Sequence, residues 1–260
     1  MVSQPPEIAL PPTQDELPWD DGVPMESQRH KLQMDLLLET LQPWLAERDH
    51  GYVGGNMFLY YSLAQVRNRD FMGPDVFAVV GVPKGERKSW VMWEEGKGPD
   101  VVIELLSEST ADYDKTEKKR LYEGQVRVPE YFWFDPFNPE DWAGFRLQGG
   151  CYEPLAVDGD GALPSQRLGL RLVRWGGCYQ DIQAVWLRWM TAAGTLLPTK
   201  DELREQEFQR AEQEKQRAEL EAQRADQEKQ RAERLAAQLR ALGVEPDEGG
   251  RKEGKKKNEE

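Results

Sequence analysis

The chain has 260 residues with 34 Lys and Arg against 47 Asp and Glu, a formal charge of −13. This balance excludes a protein that holds nucleic acid through a broad basic surface, which needs many cations to displace counterions from phosphates. Residues 200–260 hold 15 basic and 17 acidic residues, so residues 1–199 carry −11 and the acidity belongs to the part expected to fold. Eight of the nine Trp lie between positions 44 and 189, so that part can bury one sizeable core. Cys151 and Cys178 form no C-x-x-C spacing, and no apolar run approaches the roughly 18 residues of a membrane span. The first residues are proline-rich and acidic, unlike a secretory leader. The expectation is a reduced, cytoplasmic protein without a membrane segment.

Pro5, Pro6, Pro11, Pro12, Pro18 and Pro24 predict that residues 1–25 form an extended arm, mobile or lying along the surface. A domain over 26–198 follows. From Glu26 to Glu47 the positions Met34, Leu37, Leu38, Leu41 and Leu45 recur at threes and fours, predicting a helix that Pro43 kinks or ends early. YVGGNMFLYYSLAQV, GPDVFAVVGV and GPDVVIELLSEST are apolar runs bounded by Gly or Pro and predict three strands. ADYDKTEKKRLYEG predicts a helix stopped by Gly124, and EYFWFDP a further strand. The order helix, three strands, helix, strand is an α/β arrangement. From 142 to 198, short runs between Gly149-Gly150 and Gly159-Asp160-Gly161 predict added β-hairpins.

Over 199–243, Gln-Arg-Ala starts at 209, 216, 223 and 230, which sets Ala211, Ala218, Ala225, Ala232 and Leu239 on one line. That outlines a coiled-coil seam, but its alanines and the interrupting Lys215 and Lys229 leave little to bury. A long solvated single helix fits the same residues, as does pairing through 203–239 with a second copy or a partner helix. Residues 244–260 are charged and glycine-rich, and disorder is the expectation.

The chemistry concentrates on Glu104. Val101-Val102-Ile103-Glu104-Leu105-Leu106 reads as a strand covered on both faces, yet holds a carboxylate at its centre. An ionised carboxylate without a partner costs several kcal/mol or more to bury, so a metal, a cation or a proton must compensate it. One account is a structural ion pair with an Arg from a neighbouring element. Another is a hard divalent cation shared with Asp75, which opens the preceding strand, since magnesium uses one or two carboxylates and completes its shell with water and phosphate oxygens. Asp75 also fits an ordinary Gly-Pro-Asp turn, repeated at Gly98-Pro99-Asp100. Lys115, Lys118 and Lys119 on the following helix read either as a solvated face, with Asp114 to Lys118 at i,i+4, or as a source for one lysine that orients the attacking water. The residues alone do not choose among the three.

GPDVFAVV, PDVVIELLSEST, the D-x-x-x-K-x-x-x-Y pattern of Asp114, Lys118 and Tyr122, and VPEYFWFDP together resemble the Uma-two family of restriction-endonuclease-like proteins. The resemblance extends to the opening helix, GGNMFLYYS, SWVMWEEGK, LGLRL and the terminal LAAQLRALGVEPD. It implies the PD-(D/E)XK nuclease fold: helix, three-stranded meander, crossover helix and a further strand. It also implies that Asp75, Glu104 and the backbone carbonyl of Leu105 bind Mg2+ or Mn2+, that Lys118 is the catalytic lysine, and that Glu39 on the first helix is a further participant. In the superfamily pattern the lysine lies two residues after the acid, a place taken here by Leu106, so the cation must come from elsewhere.

The expected function is hydrolysis of DNA phosphodiester bonds by a Mg-dependent endonuclease. The alternative is a catalytically inactive nucleic-acid- or protein-binding scaffold that uses the same fold and the heptad tail. His30 and His50 are too few and too far apart in sequence for a His-based zinc site and suggest surface or capping roles. No G-x-x-x-x-G-K-[ST] loop indicates nucleotide use.

Overall fold

A computed structural model of the chain describes residues 11–19, 27–48, 50–62 and 71–242. Two compact units are present, Met1–Lys200 and Asp201–Glu260. In the first, helix α1 (Gln28–Ala46) begins at Ser27, whose Oγ accepts from the His30 N–H at 3.3 Å. The helix does not end at Pro43 but continues to Ala46. Pro43 lies in the last turn, where the lost N–H removes one bond while the buried Leu41 and Leu45 on either side hold the turn in place.

Then come β1 (Gly51–Gly54), β2 (Leu59–Tyr60), β3 (Phe71–Met72), β4 (Val76–Val80), β5 (Trp90–Val91), the one-turn helix α2 (Met92–Glu95) and β6 (Val101–Leu105). The first predicted strand is thus two strands in different sheets. It breaks at Gly55-Asn56, where Asn56 adopts φ 46° and Gly55 packs so closely that a Cβ would stand 2.8 Å from the Asp75 carbonyl oxygen. The end of that predicted run, residues 63–66, lies outside the described residues.

A crossover helix occupies residues 111–126, in which α-helical Ala111–Tyr113 and Lys119–Leu121 alternate with π-helical Asp114–Lys118 and Tyr122–Val126. It runs past Gly124 and stops at Arg127, which takes the left-handed conformation at φ 59°. β7 (Glu130–Phe134) then lies parallel to β6, while β1, β4 and β6 form an antiparallel meander. Helix, meander, crossover helix and parallel strand therefore stand in the order implied by the resemblance, within a mixed α/β architecture. β8 (Trp142–Gln148) and β9 (Cys151–Pro154) complete the six-stranded sheet β1-β4-β6-β7-β8-β9, joined by Gly149-Gly150 with both φ positive. β10 (Ala162–Ser165), β11 (Leu170–Tyr179) and β12 (Ile182–Thr191) form a second sheet, and β3-β2-β5 a third.

The large sheet is covered on both faces. Val76, Ala78, Val101, Ile103, Leu105, Phe132 and Phe134 pack with Met34, Leu37 and Leu41 of α1 and with residues of the β10-β12 sheet. Gln33 pins α1 to β12 by bonding both the N–H and the carbonyl of Leu187 at 2.9 Å. On the other face Phe77, Val79, Val102 and Tyr131 pack against Tyr122 and Val126 of the crossover helix.

The proline-rich arm is anchored where it is described. Leu17 is buried with Phe58, Tyr60 and Val91, the Trp93 Nε1–H donates to the Pro12 carbonyl, and the Tyr60 hydroxyl donates to that of Pro18. The rest of the arm, 1–10 and 20–25, lies outside the described residues. Lys200–Ala241, all but its first residue in the second unit, is one 42-residue helix with no buried residue, about 63 Å long at 1.5 Å per residue. No described helix is long and apolar enough to cross a membrane. The tail expected to be disordered, 244–260, lies outside the described residues.

Candidate active site

Extending the β4-β6 register from Val76↔Ile103 by one residue sets Asp75 opposite Glu104. The two are bonded through the backbone: the Leu105 N–H donates to Asp75 Oδ2 at 2.7 Å, and the Asp75 N–H points to Glu104 Oε2 at 3.4 Å. Glu104 is 0% exposed and shares its sheet face with Val102, so its side chain faces the crossover helix.

From that helix two side chains reach Glu104. Lys118 Nζ donates to Oε2 at 3.0 Å, and the Tyr122 hydroxyl donates to Oε1 at 2.7 Å. Lys118 also lies 2.8 Å from Oδ1 of the buried Asp114. Asp114, Lys118 and Tyr122 are spaced by four, so one stripe of the helix delivers all three. Two π-helical turns lie on this stretch, a feature frequent at functional sites.

Of the three candidate lysines only Lys118 enters the cluster. Lys115 pairs with Asp141 at 2.5 Å, and Lys119 lies over the rings of Phe145 and Trp133. Glu104 is paired with a lysine, not with an arginine. Glu39 lies on α1 and is half-buried.

The cluster is short of positive charge. Burial raises Asp75 to about 6 against the pull of Lys118 and the Leu105 amide. Burial raises Glu104 to about 8; Lys118 lowers it while Asp75 and Asp114 add to the rise. Burial on its own would lower the Lys118 ammonium, but Glu104, Asp114 and Asp75 outweigh it and raise it. Two other buried carboxylates have partners of another kind. Burial works to raise Asp100 as well, but Lys97, the Val80 N–H and Arg167 together hold it below its ordinary range. Glu130 accepts from the Ser165 hydroxyl and from the Gln166 and Arg167 N–H groups, with Arg146 at 3.7 Å. Asp100 has two cations for one carboxylate, whereas among the described residues the three carboxylates Asp75, Glu104 and Asp114 share one cation, Lys118.

The donor chemistry fits a hard divalent cation: two all-oxygen carboxylates from adjacent strands, with one lysine beside them. Among the described residues no group of three or more His, Cys, Asp and Glu is arranged to hold a metal ion. That sets aside a dedicated multi-ligand cage, while magnesium is usually held by one or two carboxylates with water and phosphate.

Leu106, where the in-strand lysine would stand, is 0% exposed, and its carbonyl accepts from His30 Nε2 at 2.9 Å. A carbonyl only accepts, so Nε2 carries the proton, and Nδ1 meets the capping Ser27 Oγ at 2.8 Å. Ser27 is the cap and the His30 ring supports it rather than capping the helix itself, buried beside the site's strand rather than at the surface. Tyr122 and Asp114 were visible as pattern residues, without a role in the site. The i,i+4,i+8 spacing from Lys118's neighbours was the signal that could have marked them.

Over residues 13–175, more than half its length, the chain matches the Uma2 family, described as "Putative restriction endonuclease". A crystal structure described as "a putative nuclease belonging to DUF820", from Anabaena variabilis ATCC 29413, aligns with a TM-score of 0.42 and 16% identity, covering 61% of this chain and 91% of that one. No curated protein matches. The chain belongs to the Uma2 family, a nuclease family.

Proposed function

We propose that this protein is a Mg2+- or Mn2+-dependent endonuclease that hydrolyses DNA phosphodiester bonds at Asp75, Glu104 and Lys118. The observation that carries this reading is the 3.0 Å contact of Lys118 Nζ with Glu104 Oε2, which brings a lysine to the acid although Leu106 occupies the in-strand place. Asp75 and Glu104 would hold the cation, with the Leu105 carbonyl as a further ligand by family resemblance. When bound, the cation supplies polarisation of the scissile phosphate and makes water a stronger nucleophile at neutral pH. Lys118, an ammonium with three N–H donors, orients the attacking water and favours negative charge developing on the phosphate oxygens. The Leu105 N–H fixes the Asp75 carboxylate, and the covered sheet faces exclude competing water from the Glu104 side.

The acidic body, −11 over residues 1–199, is consistent with DNA held locally at the cation rather than through a wide basic surface. The scaffold alternative would leave Glu104 and Lys118 paired with nothing to act on. Relaxation of supercoiled plasmid in Mg2+, stopped by EDTA, tests the reading; a purified protein inert with both Mg2+ and Mn2+ would reject it.

A further inference from the structure

The Tyr122 hydroxyl donates to Glu104 Oε1 at 2.7 Å, and Tyr122 is fully buried. Its ring packs on Tyr131, with centroids 5.2 Å apart, so the hydroxyl has a fixed origin. The other oxygen, Oε2, faces Lys118 and the Asp75 N–H. A carboxylate at the end of a Glu side chain turns about its last torsion unless something holds it. Here a rigid donor on one oxygen fixes the plane and directs the other toward Asp75.

We infer that Tyr122 is a positioning residue that locks the Glu104 carboxylate in the orientation required to bind the divalent cation. The inference rests on the metal-site reading above and adds a residue to it. Groups that hold a ligating carboxylate commonly change metal affinity by about 10–100-fold when removed. Tyr122→Phe deletes the hydroxyl and keeps the packed ring. Tyr131→Phe deletes a comparable buried hydroxyl, whose 2.9 Å bond goes to the Asp114 carbonyl instead of to Glu104.

The test is titration of the full chain with Mn2+ alone, free Mn2+ being read from its electron paramagnetic resonance signal. Wild type and Tyr131→Phe are expected to bind alike, Tyr122→Phe about tenfold or more weakly, and Glu104→Ala not at all. At saturating Mn2+ the nicking rate of Tyr122→Phe is expected to return toward that of wild type. Should Tyr122→Phe be unfolded in plain buffer, all four proteins are compared in trimethylamine N-oxide, which favours the compact state. Superimposable Tyr122→Phe and wild-type titrations overturn the inference, as does an equal loss in Tyr131→Phe. If wild type and Glu104→Ala bind alike, the metal-site reading itself fails and the inference falls with it.

Discussion

Lys118 Nζ stands 3.0 Å from Glu104 Oε2 and 2.8 Å from Asp114 Oδ1, so one ammonium on the crossover helix serves buried acids of both the sheet and the helix. The chain thereby supplies by tertiary contact the cation that its strand, with Leu106, does not carry. The arrangement leaves a charge deficit whose consequences are measurable without any substrate.

The first consequence is a pH dependence of the metal-free protein. Asp75 and Glu104 titrate higher in the folded chain, at about 6 and about 8, than their ordinary 3.8 and 4.5. The folded state then binds more protons than the unfolded one between about pH 4 and pH 8, so this contribution to stability falls as pH rises through that window. In EDTA the melting temperature is expected to drop from pH 5 to pH 8, with a flatter slope in Glu104→Gln. Added Mg2+ should recover the loss at pH 8, by about 2.7 kcal/mol at a hundred times its Kd. A wild-type slope equal to that of Glu104→Gln would contradict the charge-deficit account.

The two classes of buried carboxylate should separate on mutation. Asp100 receives Lys97, Arg167 and the Val80 N–H, all within the fold. Its replacement by Asn is expected to cost about 1–3 kcal/mol, a range kept modest because both cations are partly exposed, while nicking per folded molecule is retained. Glu104→Gln is expected to do the reverse, removing nicking with little loss of stability at pH 8. Denaturant melts and plasmid assays on both variants decide it, and an active Glu104→Gln would refute the assignment.

Gly55 gives a test of backbone placement. A Cβ there would sit 2.8 Å from both the Asp75 carbonyl oxygen and Leu38 Cδ1, and 3.1 Å from Met34 Sδ. Gly55→Ala must displace α1 or the Asp75 backbone, a strain of about 1–3 kcal/mol. Nicking should fall by more than the fraction unfolded accounts for, because Asp75 is displaced from its register with Glu104. Unchanged nicking at unchanged stability would mean that the close approach has no bearing on the site.

Part of this was readable in the sequence. Glu104 was legible because one carboxylate in an otherwise apolar run is costly wherever the strand is buried on both faces. Asp75 was legible as a candidate, but its place opposite Glu104 depends on a register that only the paired strands define. The choice of Lys118 over Lys115 and Lys119 was legible only through the family resemblance, since in the residues alone nothing fixes how the crossover helix, with its π-helical turns, faces the sheet. Local rules also misplaced two boundaries. Gly124 does not end its helix, because buried Val126 holds the chain beyond it, and the strand predicted from Tyr52 breaks where Gly55 meets Asp75. The order of elements survived these errors because it rests on longer patterns than any single turn.

The central claim is that Lys118 completes a metal-dependent nuclease site with Asp75 and Glu104, and nicking of supercoiled plasmid in Mg2+ by wild type, Glu104→Ala and Lys118→Ala tests it most directly. Wild type is expected to nick in an EDTA-sensitive way, Glu104→Ala to fall to background, and Lys118→Ala to lose about 100-fold or more while still folded. Undiminished cutting by both variants would contradict the claim and place the chemistry elsewhere in the chain.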